Sequence, residues 1–135
     1  MGTFTTSKTA SGIQPRALNA GLVTVTATYT LASSSSAGDV IQMVKVPKGS
    51  TPIYVAVSCT GVGVGTARVG DGVSTGRYIE PLAYSAGMTQ TLINVATWVP
   101  YTYSTDDTID ILISAVSTAS TVGSFTMVVI TTMDP

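Results

Sequence analysis

Between Leu22 and Ala32 the chain alternates without a fault. Val23, Val25, Ala27, Tyr29 and Leu31 fall at one parity, and Thr24, Thr26, Thr28 and Thr30 at the other. Successive side chains of a strand point to opposite faces, so this pattern makes a strand with a dry side and a wet side. The wet side is threonine, a β-branched hydroxyl residue that holds an extended backbone and carries no charge. Such a surface suits stacking against a neighbour better than it suits chemistry.

The composition extends that reading. Charged residues make up 10% of the chain, against roughly 25% in a soluble domain. A soluble monomer usually keeps more charge than this, so the deficit points to life inside an assembly. The net charge of −1 gives no electrostatic case for nucleic acid or an anionic membrane as a partner. At 135 residues the chain fits one domain with a real core. Cys59 is alone, which rules out an intrachain disulfide and a Cys-based zinc site. It shares a parity with Ile53, Val55 and Val57 and reads as a small buried residue. There is no signal-peptide pattern at the start and no apolar run near the ~18 residues of a membrane helix. Assembly in a reducing cytoplasm is the expectation.

Turn residues divide the chain into short strands. Residues 1–19 lack periodicity and read as an irregular arm with Phe4, Ile13 and Leu18 as its apolar anchors; residues 20–135 form the domain. After the first strand, the expected ones are Val40–Val46, Ile53–Cys59, Ala67–Val69, Arg77–Ile79 ending at Pro81, Thr91–Val99, Ile109–Ala115 and Phe125–Thr132. The last is nearly continuous in apolar residues, as in a strand covered on both faces, with a neighbouring subunit on one side. Strands this short, with turns at this spacing, predict an all-β fold of two packed antiparallel sheets.

The residues offer little catalytic chemistry. No histidine is present, which removes the common general base, metal ligand and nucleophile partner. Most carboxylates flank turns, where an Asp commonly caps its own backbone. Asp106, Asp107 and Asp110 form the one acidic cluster, a conceivable Ca²⁺ ligand group, but the EF-hand pattern is missing and Asp110 has the parity of an outward residue. Gly61-Val62-Gly63-Val64-Gly65 lacks the helix that a phosphate loop needs and reads as a loop or bulge. Trp98, Tyr101 and Tyr103 could form a sugar-binding shelf or simply pack. The expectation is a non-enzyme without cofactor or metal.

Three segments carry a family likeness: Ala37–Gly49 (AGDVIQMVKVPKG), Val69–Ile79 (VGDGVSTGRYI) and Tyr101–Asp110 (YTYSTDDTID). In this order they resemble the capsid cement or decoration proteins of tailed bacteriophages, over about Leu22 to Thr132. The resemblance implies a jelly-roll-like β-sandwich on the outside of a capsid shell, bound to the major capsid protein as a symmetric oligomer. It carries over no catalytic residue. A tail- or fibre-associated sandwich, possibly glycan-binding, is the alternative the same composition allows. On this reading Phe4, Lys8, Ile13, Arg16 and Leu18 of the arm meet the shell. Thr24, Thr26, Thr28, Thr126, Val128 and Ile130 form the contact between subunits, in a dimer or else a trimer.

Overall fold

The computed structural model describes residues 2–5, 21–85 and 101–133, and among them all regular structure is strand. The strands are β1 (Thr3–Thr5), β2 (Gly21–Thr30), β3 (Val40–Val46), β4 (Thr51–Thr60), β5 (Gly63–Gly70), β6 (Ile79–Tyr84), β7 (Asp107–Ala119) and β8 (Ser124–Met133). They form a five-stranded sheet ordered β1-β3-β7-β5-β6 and a three-stranded sheet ordered β2-β8-β4. Every pairing is antiparallel except β1 with β3, which is parallel. The expected all-β jelly-roll-like sandwich is the fold observed. The strand expected at Thr91–Val99 lies outside the described residues.

The core lies between the sheets. Val55, Val57, Cys59, Phe125, Met127 and Val129 are buried from the smaller sheet; Ile41, Val46, Val69, Leu82, Ile109, Ile111 and Ile113 are buried from the larger. The Phe125 ring meets Tyr84 edge to face across the interior, with centroids 5.7 Å apart. Cys59 is buried as expected, and desolvation pushes its thiol pKa up.

Bulges account for the departures from simple alternation. Ile53 was expected beside Val55 and Val57, but the register of β4 on β8 shifts between Pro52 and Tyr54, and Ile53 stands exposed. Ala115 was expected on the core face with Ile109, Ile111 and Ile113. The register of β7 on β5 shifts between Ile113 and Ala115, where Ser114 is the extra residue, and Ala115 is exposed. An extra residue in one strand reverses every side chain beyond it. A second shift lies opposite Val64 and Gly65, where β7 again carries the extra residue, so the glycine-rich run leads into β5 across from a bulge. The sixth strand starts later than expected and passes through Pro81, because its register on β5 shifts between Ala67 and Val69, opposite Leu82 and Ile79. A proline is tolerated where an edge strand interrupts its ladder.

The arm also begins with order. Thr3, Phe4 and Thr5 pair with Val40, Ile41 and Gln42, and Asp39 Oδ1 accepts the Gly2 N–H at 3.0 Å. The Phe4 ring lies 5.8 Å from that of Tyr29. Phe4 thus packs on its own sandwich, which corrects the reading of residues 1–19 as wholly irregular.

Candidate functional site

The two sheets differ sharply in charge. No charged residue occurs in β2, β4 or β8, whereas the five-stranded sheet carries Lys45, Arg68, Glu80, Asp107 and Asp110. The outer face of the smaller sheet is therefore neutral from edge to edge. Thr24, Thr26 and Thr28 of β2 lie opposite Ile130, Val128 and Thr126 of β8. These are the six residues expected at the contact between subunits, and the register makes them one continuous patch. Tyr54, Ala56 and Ser58 of β4 extend it on the other side of β8. The threonines of β2 are exposed, while Thr126, Val128 and Ile130 are half-buried. Inner residues of β8 are buried and outer ones half-covered, so the chain itself covers one face of β8 fully and leaves the other open. The hydroxyls of Thr28 and Thr126 stand 3.1 Å apart, and Leu22, 65% exposed, lies at one end of the patch. A flat neutral surface with short hydroxyls and β-branched methyl groups can be desolvated without burying a charge.

Of the arm residues expected to meet a partner, Phe4 packs against the core cluster as described. Lys8, Ile13, Arg16 and Leu18 lie outside the described residues.

The opposite sheet holds a polar cluster that the sequence signalled only in part. Asp71, 2% exposed, follows Gly70, where a Cβ would collide with the Ser74 carbonyl. Its Oδ1 accepts the N–H groups of Val73 at 3.0 Å and Ser74 at 2.8 Å, the capping expected of a turn aspartate. Its Oδ2 accepts Arg77 Nε–H and, at 2.9 Å, the Tyr103 hydroxyl. Tyr103 and Tyr78 join hydroxyls at 2.7 Å, and the Arg77 guanidinium lies 3.6 Å over the Tyr101 ring. Tyr103 also donates its N–H to Ser50 and accepts from Gly49, while Asp106 Oδ1 accepts the Lys48 N–H at 2.8 Å. The three segments that carry the family likeness are thus tied together by hydrogen bonds. Burial alone would raise the Asp71 pKa, but Arg77, the Ser74 and Val73 N–H groups and Tyr103 outweigh it and hold the carboxylate below its ordinary value. The Tyr103→Phe variant removes one buried hydroxyl that serves both Asp71 and Tyr78. A loss of about 1–2 kcal/mol by denaturant titration is expected.

This cluster disposes of the aromatic shelf in the form expected. Tyr103 is buried and Tyr101 half-covered beneath Arg77, while Trp98 lies outside the described residues. Nor do the three acids converge as ligands. Asp106 caps Lys48, Asp107 accepts the Thr108 N–H, and Asp110 accepts the Thr108 hydroxyl at 2.7 Å. No group of three or more metal-ligating side chains forms among the described residues. Asp110 is 9% exposed, not the outward residue its parity suggested. Desolvation pushes its carboxyl up to about 7, aided by the charges of Asp107 and Asp71 and opposed by the Thr108 hydrogen bond. With Asp71, Val40 and Leu112 it lines a cavity of about 190 Å³.

The sandwich is one that phage capsids use. The chain is similar to a chain in the capsid of Ralstonia phage GP4, with a TM-score of 0.76 at 15% identity, covering 98% of this chain and 99% of that one. It is also similar to a chain in the capsid asymmetric unit of cyanophage Pam1, with a TM-score of 0.67 at 14% identity over 87% and 89%. A chain of the acidic stable capsid of Helicobacter pylori bacteriophage KHP30 aligns with a TM-score of 0.50 at 14% identity, over 85% and 95%. At these identities the likeness is one of fold. No family model and no curated protein matches the chain.

Proposed function

We propose that this chain is a structural virion protein of a bacteriophage, a cement or decoration protein that binds the outside of the capsid shell as a symmetric oligomer. The observation that carries the reading is the uncharged outer face of β2, β8 and β4, on a fold shared along nearly its whole length with a chain of a phage capsid. That face presents hydroxyl and methyl groups to a protein surface and places Thr24, Thr26, Thr28, Thr126, Val128 and Ile130 at its centre. The partner is the major capsid protein, and Lys8 and Arg16 of the arm add cationic contacts to acidic patches of the shell. A glycan-binding tail module draws less support, since Tyr103 is spent inside the molecule.

The test is co-sedimentation with shells that lack this component. The wild-type chain should pellet with shells to a saturating, symmetric copy number. Val128→Lys, which puts a charge in the neutral face, should bind at least about tenfold more weakly while melting like the parent, because an unpaired charge would have to be desolvated. Equal binding by that variant, or no pelleting of the parent, would refute the reading. Deleting residues 1–19 would also remove β1, so the arm is better probed by Lys8→Glu with Arg16→Glu.

A further inference from the structure

The free edge of β2 differs from the other sheet edges among the described residues. Proteins guard such edges with prolines, bulges, charges or short strands. On the edge strand β4 stand Pro52 and the bulge at Ile53. The β6 edge holds Pro81, a register shift and Glu80, and β1 is three residues long. By contrast β2 runs ten residues in unbroken register with β8, and it contains no proline and no charge.

Its geometry says which groups are free. Leu31 donates its N–H to the Gly123 carbonyl at 2.9 Å, continuing the ladder between β2 and β8. In an antiparallel pair, hydrogen-bonded positions alternate with positions whose N–H and C=O point the other way. The backbone groups of Leu22, Thr24, Thr26, Thr28 and Thr30 are therefore aimed outward from the sheet. The close approach of the Thr28 and Thr126 hydroxyls fits a non-hydrogen-bonded pair, where side chains lie nearer. On the inner side Val23, Val25 and Tyr29 are only half-buried, so the edge leaves apolar surface uncovered as well.

We infer that β2 pairs antiparallel with β2 of a second copy of this chain, joining two three-stranded sheets into one of six strands. A twofold axis perpendicular to the sheet at Thr26 sets Thr26 opposite its own copy and Thr24 opposite the copy's Thr28. Thr faces then stay with Thr faces, and the apolar inner faces stay with each other. That register closes about ten backbone hydrogen bonds. A twofold contact must be complementary to itself, which a strand bearing one sign of charge is not; the neutral β2 meets the condition. The pairing specifies the oligomer in the reading above and leaves the neutral outer faces of both copies side by side, open toward a shell.

The test needs no shell, so its failure is separate from failure of the capsid reading. Light scattering at high micromolar concentration should report twice the 13.8 kDa of one chain. Thr26→Pro removes an edge N–H that makes no bond to β8, and Thr26→Lys sets like charges beside the axis. Both should give monomers with melting close to the parent. Val128→Lys carries the same charge one strand inward and should remain a dimer. If the proline variant fails to fold, the lysine variant decides. A monomeric parent, a dimeric Thr26→Lys, or a monomeric Val128→Lys, which would point to face-to-face contact, overturns the inference.

Discussion

Replacing Asp71 with alanine is expected to lower stability by about 3–5 kcal/mol, the cost of leaving one member of a buried ion pair without its partner. The carboxylate serves four donors: the Val73 and Ser74 N–H groups, Arg77 and the Tyr103 hydroxyl. The Asp71 side chain is 1% exposed and that of Arg77 19%, so the orphaned guanidinium recovers little hydration. The loop from Gly72 to Gly76 loses the acceptor that shapes it, and Tyr103 loses its tie to β5's end. Denaturant titration should show a lower midpoint with an unchanged slope. The variant Asp71→Asn keeps an acceptor oxygen and should lose less. In the double variant Asp71→Ala with Arg77→Leu, the second change should recover part of the loss, since it removes the unpaired charge. A loss below about 1 kcal/mol for Asp71→Ala would mean that solvent replaces the cluster readily.

How far the sequence disclosed this molecule depended on whether a rule was local. Strict alternation in β2 predicted its faces correctly, because nothing interrupts its register with β8. The same rule failed for Ile53, Ala115 and Asp110. Two of these follow bulges, whose positions are settled by cross-strand pairing rather than by the strand's own residues. Asp110 lies opposite Gln42 of β3 and Gly70 of β5, so both edges and one face are occupied and the residue is buried despite its outward parity. Capping by Asp71 was legible from Asp-Gly in a turn. Its bonds to Tyr103, thirty-two positions away, were not, since no local signal marks a contact of that span. The patch of threonine, valine and isoleucine was legible as two separate strands; only the register shows that it is one surface.

Unfolded, the Asp110 carboxyl titrates near its ordinary 3.8, while in the fold it titrates at about 7. Between those values the unfolded chain has released a proton that the folded chain still holds. Stability therefore falls as pH rises, by roughly 1.4 kcal/mol per pH unit within the window, and levels off above 7. Over the whole window this one group accounts for roughly 4 kcal/mol. Asp71 works in the opposite sense: its folded pKa is depressed, so its contribution is present above its unfolded 3.8 and is lost as the pH drops further. The two together predict maximal stability in mildly acidic solution, near pH 4–5, with a decline toward pH 7. Asp110→Asn keeps an acceptor for the Thr108 hydroxyl and cannot ionise. It should match the parent near pH 4 and exceed it at pH 8, which melting curves across the range would show directly. Asp107→Asn, by removing one of the neighbouring charges, should lower the folded pKa of Asp110, so that the decline still begins near pH 4 but levels off at a lower pH and totals less. A melting temperature that is flat from pH 4.5 to 7.5, or an Asp110→Asn variant weaker than the parent at pH 8, would mean that the fold does not disfavour the Asp110 carboxylate. Water in the cavity beside Asp71 would then have to solvate it, and the neutral carboxyl would no longer explain how three aspartates coexist at one end of a sandwich.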